Sequence, residues 1–444
     1  MKIVLISTYE MGRQPFGLAS PAAWLRPDGH QVTCADLACS PLPRAAVTEA
    51  DLVAFYLPMH TATRLAVRAI ERVQALNPRT HLCCFGLYAP VNESYLRGLG
   101  IHAILGGEFE QGLRDLAGRL AAGTDGQQHE PVISLGRQQF LAPDRAGLPS
   151  LTRYAKLLVD GEEKHAGYTE ASRGCKHLCR HCPVVPVYNG VFRVVQQDVV
   201  LEDIRRQVEA GAEHITFGDP DFFNGPGHAK AIVQALHAEH PSVTYDVTIK
   251  IEHLLRYREL LPVLKRTGCL FVTSAAESID DAVLEKLAKG HTRADFIEAV
   301  RIVRDSGLTL APTFVTFTPW TTWDGYRELL QFLVDLDLVE NVGPIQLAMR
   351  LLIPAGSRLL ELPEIREIAG PFDPAALSYK WRHSDPKLDQ LCADLQRLIQ
   401  REERRKATRS EIFAGIWELA NGHPPDLHLG SRATIPYLNE PWYC

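Results

Sequence analysis

The sequence lacks several features that would assign it to a class at once. Its 444 residues include no run of about 18 apolar residues, so no segment is expected to span a bilayer. The opening MKIVLISTYEMG passes from a strand-like run into polar residues, unlike a secretory signal. The formal net charge of -6 gives no reason to expect nucleic acid or an anionic membrane as a partner. We therefore expect a cytoplasmic protein, whose oligomeric state is left open.

The cysteines are too sparse for a disulfide scaffold. There are 10 of them, and without an export signal we expect them to stay reduced, where clustered cysteines serve metal binding or catalysis. Cys175, Cys179 and Cys182 lie in the run SRGCKHLCRHCP with the spacing C-x3-C-x2-C, and no fourth cysteine lies nearby. Three thiolates can hold three corners of a [4Fe-4S] cluster and leave one iron open. An open metal position binds a substrate or a cofactor.

Two other interpretations of these cysteines remain. A zinc site would need a fourth ligand, which His177 or His181 can supply. The three residues can also be a chance grouping of buried thiols. The spacing is nevertheless the signature of radical S-adenosylmethionine (radical SAM) enzymes, and the chain resembles that superfamily. The resemblance implies a [4Fe-4S] cluster and S-adenosylmethionine (SAM) as cofactors.

Strand-like and helix-like segments alternate twice along the chain. In residues 1–125 the alternation predicts a doubly wound, Rossmann- or flavodoxin-like α/β domain with a parallel sheet covered on both faces. Its strand candidates are 2–7, 31–37, 51–58, 80–88 and 102–108. Residues 126–165 are polar and turn-rich at their start, and we interpret them as a linker.

The second series predicts a partial (β/α)6 barrel over residues 166–360. Its strand candidates are 167–172, 214–222, 243–251, 269–278, 308–319 and 344–354. Catalytic residues of such barrels lie at the carboxyl ends of the strands, and the three cysteines follow the first of them. Residues 361–444 are predicted to be a helical region with an extended tail.

The position of the first domain, before a radical SAM core, resembles the cobalamin-binding-type domain of the cobalamin-dependent branch. Gly106, Gly107 and Glu108 follow the fifth strand and support the resemblance, which implies cobalamin contacts there. The sequence also departs from the pattern: it has no D-x-H-x-x-G motif, and FGLYAP replaces a glycine pair after the fourth strand. The domain either holds cobalamin or keeps the fold without the cofactor.

Gly218-Asp219-Pro220-Asp221 follows the second barrel strand. The run resembles the radical SAM motif that contacts the amino group of SAM, and carboxylates and carbonyls suit an ammonium group. Glycine, aspartate and proline are also ordinary turn residues. Thr248 and Lys250, on one face of the third strand, are further candidates for cofactor binding.

Later strands offer five more candidates. Glu277 and Ser278 end the fourth strand, where a carboxylate can accept hydrogen bonds from a ribose, or simply favour a helix N-terminus. Arg293 can meet the SAM carboxylate or the surroundings of the cluster, or be a solvated surface arginine. Gln346 and Arg350 share a face of the sixth strand, and a buried arginine needs an anionic partner: a substrate carboxylate or a structural aspartate.

The tail IPYLNEPWYC is rich in aromatic and apolar residues, and we predict that it docks, into the open mouth of the barrel. It resembles a radical SAM family whose members end in Cys-Sec-Ala-Glu-Pro or Cys-Cys-Ala-Glu-Pro. The resemblance makes Cys444 a candidate catalytic thiolate, and we hypothesise a selenocysteine codon misread as stop after it; the alternative is a natural end. A soft thiolate or selenolate suits arsenic or selenium, so the resemblance implies transfer of a 3-amino-3-carboxypropyl group to such an element.

The sequence therefore predicts an enzyme that cleaves SAM reductively and modifies a small molecule, with a reductant such as flavodoxin or ferredoxin. A different hypothesis is a non-catalytic iron–sulfur protein that senses redox state or metalloids.

Overall fold

Two sheets, one parallel and one mostly parallel, each flanked by helices, organise the chain. The computed structural model describes residues 1–123, 127–425 and 435–439. Among these residues, every helix is too short or too polar to cross a membrane.

The first sheet has the strand order β2-β1-β3-β4-β5-β6, and all its pairings are parallel. Its strands are β1 (Lys2–Ser7), β2 (Gln31–Asp36), β3 (Leu52–Tyr56), β4 (His81–Phe85), β5 (Ala103–Gly107) and β6 (Ile133–Ser134). The helices are α1 (Phe16–Leu25), α2 (Arg44–Thr48), α3 (His60–Leu76), α4 (Tyr88–Val91), α5 (Glu93–Gly98) and α6 (Phe109–Ala121). Every residue of β3 is buried, as expected of a strand covered on both faces. The five predicted strands are confirmed, and β6 continues the sheet beyond residue 125.

The second sheet has the order β14-β13-β12-β11-β8-β7-β17, and β8, β11, β12, β13 and β14 run parallel. The strands from here on are β7 (Lys156–Val159), β8 (Glu162–Thr169), β9 (Ser172–Gly174), β10 (Phe192–Val194), β11 (His214–Phe217), β12 (Thr244–Thr248), β13 (Cys269–Glu277), β14 (Thr309–Phe314), β15 (Phe372–Asp373), β16 (Ser378–Tyr379) and β17 (Tyr437–Leu438). The helices are α7 (Val185–Tyr188), α8 (Gln197–Glu209), α9 (Pro226–Glu239), α10 (Ile251–Arg256), α11 (Leu261–Arg266), α12 (Asp281–Lys286), α13 (Arg293–Asp305), α14 (Trp323–Asp335), α15 (Pro363–Ile368), α16 (Pro386–Arg404) and α17 (Arg409–Asn421). The predicted α/β architecture, with a partial barrel and a helical C-terminal region, is confirmed.

The predicted sixth barrel strand is wrong. Residues Pro344–Ala348 form a 3-10 helix, and the strand is reduced to one parallel bridge between Phe317 and Arg350. Pro344 has no N–H to give to a ladder, and its fixed φ suits the first position of a helix.

The loop before α13 is held by a capping box. Thr292 Oγ1 accepts from the backbone of Asp295, whose carboxylate accepts in return from the backbone of Thr292. The cap fixes the direction in which the chain enters α13 and so positions Lys289 and His291 just before it.

The described part of the tail docks on the edge of the second sheet rather than in the barrel mouth. Strand β17 pairs antiparallel with β7, matching Tyr437 to Leu158 and Leu438 to Leu157. Arg409 lies 4.4 Å from the centre of the Tyr437 ring. Cys444 lies outside the described residues.

Candidate functional site

The three cysteines lie on one loop that follows β9, at the carboxyl edge of the barrel. Cys179 is buried, and Cys175 and Cys182 are partly buried and form no disulfide. Burial raises the pKa of the Cys182 thiol to about 12, and burial also raises that of Cys175. Without a metal these thiols stay protonated at neutral pH, so metal binding is what converts them to thiolates.

The geometry of the cysteines favours a cluster over a single zinc ion. Within the described residues, one set of three ligand side chains converges on a single point, and the cysteines are not that set. Both nearby histidines are engaged elsewhere: His181 Nε2 lies 3.0 Å from Glu277 Oε1, and His177 Nδ1 lies 3.2 Å from Lys250 Nζ. Three thiols on one loop, set apart and without a fourth protein ligand, fit three corners of a [4Fe-4S] cluster.

Asn224 anchors the start of the cysteine loop. Its side chain is fully buried, its Nδ2 donates to the Gly174 carbonyl at 3.4 Å, and its Oδ1 accepts from the Lys176 amide at 3.2 Å. Its Oδ1 also lies 4.0 Å from Cys175 Sγ. On the other side of the loop, Arg180 Nη1 donates to the Lys286 carbonyl at 2.8 Å, at the end of α12.

Glu277 and Lys289 form a buried ion pair beside the cysteine loop. Lys289 Nζ lies 3.3 Å from Glu277 Oε1, and the two side chains are 4% and 9% exposed. Burial alone would raise the pKa of Glu277, but Lys289 and His181 outweigh it and lower the pKa to about 2. Burial would lower the pKa of Lys289, but Glu277 and Cys179 outweigh it and raise it. Glu277 also has a φ of 65°, which is rare outside glycine and typical of functional sites.

A cavity of about 300 Å³ adjoins this pair. The predicted residues Glu277, Ser278 and Arg293 all line it, together with Thr318 and Trp320. Because Glu277 also holds His181 of the cysteine loop, the cavity and the loop share one side chain. The structure thus brings together three residues that the sequence assigned to cofactor binding.

Arg293 is also tied to the protein surface. Its guanidinium pairs with Glu328 and lies 4.9 Å from the centre of the Phe332 ring, with 37% of its side chain exposed. That placement agrees with the surface alternative as well as with the cavity.

The Gly218–Asp221 run is turned largely toward the protein. A Cβ on Gly218 would lie 1.8 Å from the Tyr168 hydroxyl oxygen, so only glycine fits. Asp219 accepts from the Ala171 amide at 2.9 Å and from Ser172 Oγ at 2.5 Å. Asp219 therefore fixes the chain leading to the cysteines, and Pro220 beside it is exposed.

Asp221 and Lys250 meet next to His177. Asp221 Oδ1 accepts from the Phe223 amide at 3.2 Å, and its Oδ2 lies 3.6 Å from His177 Nε2. Lys250 Nζ donates to Glu252 Oε2 at 2.9 Å. Burial, followed by Lys250, lowers the pKa of His177 to about 4, so its ring is neutral at pH 7. Thr248 lies partly buried at the end of β12.

Gln346 and Arg350 make contacts with other residues of the barrel wall and the helix packed on it. Gln346 Oε1 accepts from the Phe314 amide at 3.1 Å. Arg350 Nη1 lies 2.6 Å from Asp389 Oδ1, and its guanidinium stacks 3.6 Å from the centre of the Trp381 ring. The anionic partner of Arg350 is thus the structural aspartate of the two alternatives, and the side chain is 29% exposed rather than buried.

One arginine joins the first sheet to the cysteine loop. Arg173, two residues before Cys175, lies 2.7 Å from Glu110, 2.7 Å from Glu170 and 3.3 Å from Glu108. One cation cannot compensate three buried carboxylates. Burial raises the pKa of Glu108 to about 7, only partly offset by Arg173, and that of Glu170 is also raised, whereas the pKa of Glu110 is lowered because Arg173 outweighs its burial.

At the same edge, the two glycines predicted to contact cobalamin pack closely against the protein itself. A Cβ on Gly106 would lie 2.5 Å from the ring of Pro90, and one on Gly107 would lie 2.1 Å from the Ser134 carbonyl oxygen, so the protein itself fills the space that these glycines leave. The edge is closed by apolar packing of Leu87, Val91 and Leu135 on Val184, Val187 and Tyr188. A cavity of about 460 Å³ lined by Gly106 and Glu108 lies beside this packing, and we derive no step through cobalamin.

Sequence reasoning missed Arg173, Asn224 and Lys289 as parts of the site, and it named His181 only as a possible zinc ligand. For Lys289 the sequence offers one hint, its place in LAKGHTRAD between a short predicted helix and a capping box. A lysine that is buried there needs a charged partner, because lysines are rarely buried unpaired. The contacts of the other three residues are recognised only once the strands bring distant segments together.

Comparison with known proteins agrees with this geometry. Residues 169–333 match the family model of the radical SAM superfamily, and this span contains the three cysteines, Glu277 and Lys289. Residues 169–333 therefore form a radical SAM domain. The N-terminal domain and the barrel together share the fold of solved radical SAM enzymes.

Two solved structures show the same fold. The methyltransferase TsrM from Kitasatospora setae, solved with tryptophan and a SAM analogue, has a TM-score of 0.68 at 16% identity and covers 89% of this chain and 88% of its own. The cobalamin-dependent radical SAM enzyme OxsB has a TM-score of 0.71 at 16% identity, covering 90% of this chain and 66% of its own.

Curated relatives match over part of their length. The hopanoid C-3 methylase of Methylococcus capsulatus is 24% identical over 347 residues, which cover 74% of this chain and 66% of the methylase. The ribosomal protein uS12 methylthiotransferase RimO of Porphyromonas gingivalis is 25% identical over 187 residues, 39% of this chain and 42% of that protein. The chain thus spans between two fifths and two thirds of these two relatives.

Proposed function

We propose that this protein is a radical SAM enzyme that cleaves SAM reductively and transfers a group to a small-molecule acceptor. The observation that carries the proposal is the arrangement of Cys175, Cys179 and Cys182 on one loop at the carboxyl edge of the barrel, with no fourth protein ligand among the described residues. When bound there, the cluster supplies the electron that breaks a carbon–sulfur bond of SAM.

The protein residues around the site position the cysteine loop and compensate the negative charge of its thiolates. Asn224 and Arg180 hold the two ends of the loop, and Lys289 places a buried positive charge beside Cys179 and Cys182. The cavity at Glu277 is the proposed place for SAM, with Ser278 and Arg293 in its wall. A carboxylate there suits a ribose diol, which donates two hydrogen bonds.

The relatives support group transfer. Their names describe a methylase and a methylthiotransferase, and TsrM is a methyltransferase. Transfer of a 3-amino-3-carboxypropyl group to arsenic or selenium is the alternative. It is supported by the resemblance of the tail segment IPYLNEPWYC, and assays with arsenite and with selenium compounds as acceptors test it.

Several accompanying parts of the proposal come from the sequence. The electron donor is a flavodoxin or ferredoxin, the enzyme works in the cytoplasm, and its acceptor is not a nucleic acid. The chain divides at about residues 125, 165 and 360. Structures of TsrM and OxsB hold cobalamin, and the cobalamin content of the purified protein tests whether this domain holds it too.

Chromatography of SAM products after anaerobic reconstitution and reduction tests the function. 5'-Deoxyadenosine would indicate hydrogen abstraction or methyl transfer, and methylthioadenosine would indicate aminocarboxypropyl transfer. Cys179→Ala should abolish either product. Cys392→Ala, a buried cysteine that contacts the Ala348 carbonyl in the barrel wall, is the matched control and should retain it. An intact cluster without SAM cleavage would contradict the proposal and favour the sensor hypothesis.

A further inference from the structure

Three side chains beside the cysteine loop converge on a point that the proposed chemistry does not use. His177 Nε2, Asp221 Oδ2 and His253 Nδ1 all lie within 4.8 Å of one another. Asp221 and His253 are 1% and 4% exposed, and His177 is 16% exposed. Two imidazole nitrogens and a carboxylate oxygen are the donor set of many zinc and non-haem iron sites.

None of these three atoms makes a hydrogen bond within the part of the chain that the structure describes. His253 Nδ1 lies 2.6 Å from Asp221 Oδ2, yet the pair lacks the angle of a hydrogen bond. Buried polar atoms without a partner are costly, so such a group needs an explanation, and an ion is one.

A second histidine–aspartate pair in the same barrel shows what an ordinary structural pair looks like. His214 Nε2 lies 2.9 Å from Asp246 Oδ1 with hydrogen-bond geometry, and His214 Nδ1 is 2.9 Å from Thr244 Oγ1. Thr216 Oγ1 donates to the same Asp246 oxygen at 2.7 Å. Both ring nitrogens of His214 therefore have hydrogen-bond partners, whereas Nδ1 of His253 has only the contact with Asp221 that lacks hydrogen-bond geometry.

We propose that His177, Asp221 and His253 bind one divalent cation of the zinc type, Zn²⁺ or Fe²⁺. Metal–ligand bonds of about 2.0–2.2 Å place neighbouring ligand atoms roughly 3.3 Å apart, so the 3.6 Å separation of His177 and Asp221 already fits. The 2.6 Å separation of His253 and Asp221 lengthens by a small rotation of the ring. Three protein ligands leave one position for water or another ligand.

The surroundings of His177 set one condition for its role as a ligand. Its Nδ1 now accepts from Lys250 Nζ at 3.2 Å, whereas with Nε2 on the ion Nδ1 must carry the ring proton. Lys250 Nζ must therefore turn away from Nδ1, which leaves Glu252 Oε2, 3.7 Å away, as the carboxylate that orients the ring. Lys250 Nζ, 2.9 Å from the same oxygen, balances the charge of Glu252.

The ion would fasten the cysteine loop to the barrel. His177 lies between Cys175 and Cys179, Asp221 follows β11, and His253 belongs to α10. The test of the site measures bound metal rather than SAM cleavage, so failure of this proposal is distinguishable from failure of the proposed function.

The test uses the cluster-loaded protein, whose cysteines are already occupied. The holoenzyme is titrated anaerobically with Zn²⁺ against a chromophoric chelator, and zinc, iron and sulfide per chain are then measured. We expect one zinc per chain with the iron unchanged. His177→Gln and His253→Gln should each weaken binding at least tenfold, and the matched His214→Gln should not. Because His253 is buried, its replacement can prevent folding, and His177→Gln then serves as the test variant.

Two further readouts keep the outcome decisive. Co²⁺ in place of Zn²⁺ should give d–d bands without sulfur-to-cobalt charge transfer, whereas charge transfer would place the ion on cysteines and overturn the proposal. Iron in excess of sulfide that is lost in His177→Gln would identify Fe²⁺ as the ion. A holoenzyme that takes up neither ion, or variants that bind like the wild type, would refute the site.

Discussion

Lys289 Nζ lies 3.3 Å from Glu277 Oε1, and the lysine interacts electrostatically with Cys179 and Cys182. This pair puts a buried positive charge beside two of the proposed cluster ligands. Local charge is one of the factors that set the reduction potential of an iron–sulfur cluster.

We predict that Lys289→Met makes the cluster harder to reduce, with a potential lower by on the order of 50 mV, because the compensating charge is lost. Lys289→Arg keeps the charge and should shift the potential much less. Potentiometric titration followed by electron paramagnetic resonance measures both. Equal potentials in the wild type and in Lys289→Met would show that the lysine serves only to pair with Glu277.

Removing any one of Cys175, Cys179 or Cys182 should eliminate most of the bound iron and labile sulfide. Each is one of the three proposed ligands of the cluster, and a cluster left with two protein ligands is poorly held. Iron and sulfide assays after reconstitution measure the loss. Cys392→Ala and Cys269→Ala, at buried positions outside the loop, should load like the wild type. Full loading of a Cys179→Ala protein would refute the assignment.

Because the Glu108 carboxyl is buried, we predict that the protein becomes less stable as the pH rises toward neutral. The folded pKa of Glu108, about 7, lies above the ordinary 4.5, so between these values the folded state holds a proton that the unfolded state has released. Its contribution is therefore fully present below about pH 4.5 and is lost as the pH rises through 7, on the order of 3 kcal/mol in all. Urea unfolding from pH 5 to 8 should show this decline, and Glu108→Gln should flatten it. Parallel curves for the two proteins would contradict the prediction.

Arg173→Met should destabilise the protein by about 3–5 kcal/mol, because it leaves Glu108, Glu110 and Glu170 buried without their cation. The matched change Arg350→Met affects a partly exposed pair with Asp389 and should cost only about 1 kcal/mol from the ion pair. Chemical denaturation monitored by tryptophan fluorescence compares them. Similar losses in both variants would show that Arg173 is not the junction between the first sheet and the cysteine loop.

Periodicity predicted the fold well where strands are continuous apolar runs, as in LVAFY of β3. It failed at 344–354, where an apolar run follows Pro344 and the proline selects a short helix. Apolar content does not reveal whether a backbone can join a ladder, and proline does.

The residues of the site also fall into those that the sequence could predict and those that it could not. The cysteine spacing is a local pattern and was visible in the sequence. The partner of Arg350, Asp389, lies 39 residues away, so the sequence could not decide between a substrate carboxylate and a structural aspartate. His177, Asp221 and His253 come from three separate segments, so no spacing links them. Pairings set by the barrel, rather than by neighbours in the chain, are what sequence alone does not supply.

The pairing of β17 with β7 has a consequence for folding. Asn439 Oδ1 accepts from the Lys156 amide across 283 residues, so this contact closes a very long loop and is expected to form late. Until it does, β7 is an open strand edge on a nearly complete barrel, able to pair with the same segment of another copy. Refolding yield should therefore fall steeply with protein concentration, as intermolecular strand addition competes with the chain's own last strand.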